Sequence, residues 1–322
     1  MAQLELAEGI KITTFEPPPT GFDPLTASAA LLQKHGFPPR LPEPHHQERY
    51  RKVWSQLKSR FHYIQPTFRV NSERRHGPRK RLATEGPETA FNWSGGVVYA
   101  PAGTSFRWVQ GDWVVPDVHA PTHDQLYTCA SWIGIDGDGG SDDVCQAGFE
   151  CDVFRSRGSI SRNIYAWHVW YPAPEVQITN LPVNAGDMVT MLLCTPQDGG
   201  TGGGAGSTTA TVYITDYTTG ASMSYIFSAP DIALKDGRRE ITKLVGNCAE
   251  WIVEAPLVNH AQSLIGDYGQ VFFNVCEAFL TSGAAVNGGT GDNINLIAGG
   301  TVVSQGILVS PTVIECSYSG PK

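Results

Sequence analysis

From residue 91 onward the chain is a succession of short runs rich in β-branched and aromatic residues, each bounded by Gly, Pro, Asp or Asn. They read "NWSGGVVYAP", "FRWVQGDWVVP", "LYTCASWIGID", "NIYAWHVWYP" and "DMVTMLLCT". Such runs are strands, and none of them carries the apolar period of a helix. "VYITDYTTGASMSYIF" (212–227) predicts a hairpin turning around Thr219-Gly220. About a dozen strands with no helical interruption imply an all-β, antiparallel two-sheet sandwich. Composition agrees: 35 glycines and only 17% charged residues suit many short strands and tight turns, and 322 residues can bury one large core.

The first 90 residues have another texture and are expected to form a separate, partly helical extension to a sandwich domain at 91–322. "TASAALLQKHG" (26–36) predicts a short helix, opened by a Thr or Ser cap and closed by Gly36. "HHQERYRKVWSQLKSRF" (45–61) predicts a longer one, with Tyr50, Val53, Trp54, Leu57 and Phe61 on one face and a basic opposite face. "RRHGPRKR" (74–81) reads as a flexible basic run.

Charge divides at the same place. Residues 1–90 hold 14 Lys/Arg against 9 Asp/Glu, and residues 91–322 hold 9 against 22. An acidic body argues against nucleic acid, whose phosphates need a basic surface. No apolar run approaches the roughly 18 residues of a membrane span. The start lacks a basic n-region and apolar core, so no signal peptide is expected. The seven cysteines lack metal-like spacing and read as buried free thiols, with Cys145 and Cys151 the one pair that a loop could join. Asn92-Trp-Ser is a glycosylation sequon.

The stretch "NCAEWIVEAP" (247–256) raises the question of function. Strand alternation puts Glu250, Ile252 and Glu254 on one face and Trp251, Val253 and Ala255 on the other. No Lys or Arg lies within six residues to pair the two acids. A glycoside hydrolase also uses paired carboxylates, but four residues of regular strand separate these by about 13 Å, and the pairs that cleave sugars sit roughly 5–9.5 Å apart. "DGDGGSDD" (136–143) offers hard oxygen ligands but lacks the Glu that ends a calcium loop. "GGTGGGAGS" (199–207) lacks the Lys-Ser/Thr of a phosphate cradle. His119, His123 and His168 form no metal or triad pattern, and His168, in an aromatic strand, reads as structural.

"NWSGG", "WIGIDGD", "QAGF", "AWHVWYP", "AGDMVTM", "TTG" and "AEWIVE" together, in this order and spacing over about 91–320, resemble the glutamic peptidases, the eqolisin family. The resemblance implies a sandwich of the concanavalin A-like, jelly-roll type and an acid-acting endopeptidase with neither metal nor cofactor. It implies a catalytic dyad of Glu254 and Gln146, with Trp132, Trp167, Asp136 and Glu250 lining the substrate site. Glu254 would act as general base and then acid on a water, and the Gln146 amide would orient that water and stabilise the oxyanion. Activity is then expected near or below the ordinary carboxyl pKa of about 4.3.

Two departures stand out. The strand "YAWHVWY" carries Tyr165 and Val169 where the family has acids. The family's disulfide would fall on Gly140 and Val245, so the usual inference of secretion is loosened and the compartment is left open. The basic leader resembles the prosegments of acid proteases, and a permanent helical cap is its rival. Partners are expected to be polypeptide substrates of a monomer. A non-catalytic, lectin-like sandwich binding carbohydrate or peptide is the alternative function.

Overall fold

The computed structural model describes every residue except 58–59, 81–85, 87, 122, 196–202, 234–237 and 322. Part of the glycine-rich stretch 199–207, and Arg81 of the basic run, therefore lie outside the described residues.

Two helices lie in the leader, α1 (Ala29–Lys34) and α2 (Pro44–Leu57). The principal strands are β1 (Phe68–Asn71), β2 (Arg74–Arg75), β3 (Trp93–Tyr99), β4 (Phe106–Val114), β5 (Ala130–Ile135), β6 (Cys145–Ser156), β7 (Ser159–Trp170) and β8 (Glu175–Ile178). They continue with β9 (Met188–Cys194), β10 (Thr209–Asp216), β11 (Ala221–Ser228), β12 (Cys248–Glu254), β13 (Gln270–Leu280), β14 (Asp292–Ala298), β15 (Thr301–Ser310) and β16 (Val313–Tyr318).

These form a β-sandwich. One sheet runs β1-β8-β7-β6-β5-β12-β3-β14, every neighbour antiparallel. The other runs β11-β10-β9-β4-β13-β16-β15-β14 and meets the first at the shared strand β14. The predicted hairpin is β10–β11, with Gly220 at φ 83° in its turn.

The expected division of the opening strand holds. Trp251, Val253 and Ala255 of β12 and its exit face the second sheet in the main core, with Trp113, Ile133, Phe149 and Phe273. The buried indole of Trp251 donates to the Gln110 carbonyl at 2.8 Å, so the burial leaves no polar atom stranded. All seven cysteines are buried and free, Cys145 and Cys151 among them.

The opposite face of the first sheet holds a second apolar cluster of Trp93, Ala130, Trp132, Tyr165, Trp167, Val169 and Ile252. This face would be the open side of the sandwich, and here the leader covers it. The described residues of the leader are woven into both sheets. Lys11–Thr14 pairs with β11, β1 extends the first sheet beside β8, and β2 pairs with Leu257–Val258. The helices close over a core of Leu32, Phe37, Trp54 and Leu57 as their spacing predicts, with Ser28 capping α1. Arg49 of α2 reaches Asp112 of β4 at 2.6 Å. Residues 74–80, expected to be flexible, are instead fixed, because each of several cations meets a buried acid on the sandwich.

Candidate active site

The register fixes which side chains share the covered face. Gln146 and Glu250 flank Gly134 from opposite sides, while Glu150 and Glu254 flank Ala130. Residues 130 and 134 are an even step apart, so all four side chains point the same way. The pairing of β12 is unbroken from 248 to 254, so no bulge draws Glu250 towards Glu254. The glycosidase geometry is not formed.

Glycine is required at the floor of this site. A methyl group on Gly134 would lie 2.9 Å from Glu250 Oε1 and 2.8 Å from the Trp132 ring. One on Gly148 would lie 2.3 Å from Trp132 Cβ. These two glycines let Trp132 lie across the sheet, where its Nε1 donates to Glu254 Oε2 at 3.0 Å.

Gln146 and Glu254 converge on one residue of the leader, His76. The Gln146 amide donates from Nε2 to the main-chain carbonyl of His76 at 2.8 Å. The imidazole of the same residue lies between two carboxylates, with Nδ1 3.0 Å from Glu254 Oε2 and Nε2 2.9 Å from Glu175 Oε2. Its ring stacks on Trp167 with centroids 3.8 Å apart and planes at 10°. Burial alone would lower the ring's pKa, but its hydrogen bonds to Glu175 and Glu254 outweigh that and push it up to about 9. The ring is therefore an imidazolium, donating from both nitrogens.

The cleft's acids have divergent environments. Burial opposes charge on Glu175, but the hydrogen bond and charge of His76 hold it below the usual carboxylate range. Its other oxygen accepts from Asn71, Tyr165 and Gln177. Glu150 lies 2.9 Å from Arg74 Nη1, yet burial prevails and pushes it up to about 8. Arg74 also makes a two-pronged pair with Asp152 at 2.9 and 3.1 Å. Glu250 is fully buried with no N–H or O–H donor among the described residues. Burial first, and Asp136 next, push its carboxyl well above the ordinary value.

Asp136 does not touch His76. Both its oxygens accept backbone N–H groups of the 245–247 turn, and burial pushes it up to about 7. Trp132 and Trp167 contact Glu254 and His76 respectively. His168 is buried against the Tyr225 hydroxyl and pushed down to about 3 by burial, a structural histidine as expected.

Sequence reasoning missed His76, Glu175 and Arg74. The acid that β7 lacks at Tyr165 arrives from the next strand as Glu175, hydrogen bonded to the Tyr165 hydroxyl. The sequon is also accounted for: Asn92 is buried, and its side chain holds Gly77, Pro78 and Lys80 through their backbone atoms. Two groups among the described residues gather metal-type ligands within 4.8 Å of one another: His76, Glu150 and Glu175, and, where the leader meets β13, His45, His46 and Glu277.

Gln146 and Glu254 are buried on the same face of one sheet of a β-sandwich, and each makes a hydrogen bond to His76, one to its carbonyl and the other to its ring. The chain belongs to the Peptidase A4 family, whose model matches residues 91–318. It is similar to Aspergillopepsin-2 of Aspergillus niger, at 28% identity over 226 residues, 65% of this chain and 71% of that one. Two solved structures share the fold. Scytalido-glutamic peptidase, solved with a transition state analog inhibitor, aligns with TM-score 0.55 and 22% identity over 71% of this chain and 98% of its own. SCP-B, a member of the eqolisin family of peptidases in complex with the tripeptide Ala-Ile-His, aligns with TM-score 0.50 and 20% identity over the same shares. The family match stops at residue 91, so it leaves out the leader and His76 with it.

Proposed function

We propose that this peptidase is an acid-acting endopeptidase in which Glu254 and Gln146 activate one water against a peptide carbonyl, and that residues 74–80 hold it latent. Glu254 as carboxylate takes a proton from the water as oxygen adds to the carbonyl carbon, then delivers it to the departing amine. The Gln146 N–H stabilises the oxyanion, in the position where it now grips the His76 carbonyl. Its Oε1, buried without a partner among the described residues, is free to accept from the water. Trp132 keeps Glu254 aimed. No acyl-enzyme forms, and metal is not needed for any step.

The observation that carries this reading is that one residue satisfies both members of the dyad at once, its carbonyl on Gln146 and its ring on Glu254. The leader is then a prosegment whose inhibitory part is the His76 clamp. Digestion of denatured protein from pH 2 to 7 tests the proposal. Wild type should digest in acid after a lag, and Glu254→Gln should not. Proteolysis retained by a folded Glu254→Gln variant would discard the mechanism, and glycan binding without proteolysis would favour the lectin-like alternative.

A further inference from the structure

The leader is stretched through the cleft as a substrate would be. Upstream of His76, β2 pairs with Leu257–Val258 and the Glu73 carbonyl accepts from Asn259 N at 2.8 Å. Added strands of this kind are a common way for a sheet to hold a peptide. Downstream, Arg79 N donates to the Gly137 carbonyl at 2.9 Å and Arg79 Nη1 reaches Asp138 at 2.7 Å. Between these anchors, the carbonyl that Gln146 holds belongs to His76, so the bond presented to the dyad is His76–Gly77. The residue after that bond sits close under the Tyr171 ring, since a Cβ on Gly77 would lie 3.2 Å from it and a larger side chain would have to displace the ring.

We infer that His76–Gly77 is the first bond this peptidase cuts, within its own chain, and that the cut opens the cleft while the leader stays docked. The inference rests on the proposed reading of Glu254 and Gln146. What stops the reaction in the structure is the imidazole, which takes the Glu254 oxygen that a water needs. The ring is held by Glu254 on β12, by Glu175 on β8 and, at 3.8 Å, by Glu150 on β6; Arg74, Lys80, Asp152 and Tyr165 are the other titratable groups around this cluster. The ring has to leave this contact before a water can take its place beside Glu254 and Gln146.

Water oxygen then bonds to the His76 carbonyl carbon, and Glu254 takes one of its protons. The carbon–nitrogen bond to Gly77 breaks and the nitrogen receives that proton. The products are residues 1–76 with a new carboxyl and residues 77–322 with a new amine, with water the sole co-reactant. The cut leaves intact the pairings of β1 with β8 and of Lys11–Thr14 with β11, and the helical core. Detachment of the leader is not required.

The full chain, held at pH 3–4 and followed by intact mass and N-terminal analysis, tests this. The expected result is a first product beginning at Gly77, formed with a first-order rate constant unchanged by 100-fold dilution. Glu254→Gln should abolish it, and Gly77→Val, shown to be folded by circular dichroism, should slow it at least ten-fold. A first new N-terminus elsewhere, a rate that scales with concentration, or an unslowed Gly77→Val would overturn the inference. A wild type that digests added protein without forming the Gly77 terminus overturns the inference alone. One that does neither overturns the proposed function with it.

Discussion

His76 and Glu254, 178 residues apart in sequence, meet through a buried 3.0 Å contact between ring nitrogen and carboxylate. The group assigned to activate water is thus neutralised by a side chain from the leader. Several consequences can be measured.

His76→Ala should shorten the acid lag of the full chain. It removes the stack on Trp167 and both carboxylate contacts while leaving the Arg74 and Arg79 anchors. Losing two buried charge-assisted hydrogen bonds, each worth about 1.5–3 kcal/mol, weakens the clamp by roughly a hundred-fold or more. A lag unchanged in progress curves would contradict the clamp.

The clamp has a pH window set by its partners. His76, raised to about 9, contributes fully below its unperturbed 6.5 and is lost as the pH rises through about 9. Glu175, held below its ordinary 4.5, contributes above that value and is lost as the pH falls through its lowered one. Hydrogen-exchange protection of residues 74–79, taken relative to the intrinsic rate at each pH, should therefore be greatest around pH 6 and should fall in acid. In Glu175→Gln, protection at pH 6 should fall, and equal protection would remove Glu175 from the clamp.

Trp132→Phe deletes the Nε1 donor to Glu254 while keeping a ring over the sheet. Loss of one hydrogen bond to a charged group predicts a fall in kcat of roughly ten- to hundred-fold. KM should change little, because the indole aims the base. A change confined to KM would make Trp132 a substrate contact instead.

Trp251→Ala tests the other side of the strand. The indole is fully buried and its N–H is bonded, so truncation should cost about 3–5 kcal/mol in denaturant titrations. Gly148→Ala should destabilise as well, through overlap with Trp132. A wild-type midpoint for either would contradict the packing described.

The sandwich was legible because each strand carries its own local signal, an alternation of apolar residues closed by Gly or Pro. Glu254 and Gln146 were singled out through short motifs, "AEWIVE" and "QAGF", whose order along the chain is distinctive, and both side chains contact His76. The clamp was not. "RRHGPRKR" reads as solvated because nothing nearby neutralises it; Arg74 finds Asp152 and Glu150, Arg79 finds Asp138, and His76 finds Glu175 and Glu254, all distant in the sequence. Glu175 was hidden likewise in "YPAPEVQI", where one acid in an apolar strand carries no mark of its partner. Asp136, within the motif "WIGIDGD", is occupied by the 245–247 turn.

The most direct measurement is a double-mutant cycle on peptide hydrolysis, with Gln146→Ala, Glu254→Gln and the two combined, in acid-treated full chain. If both side chains act on the same water, the double variant loses about as much rate as the worse single one, because a broken unit cannot be broken twice. Losses that multiply, or a Glu254→Gln variant within ten-fold of wild type, would contradict it.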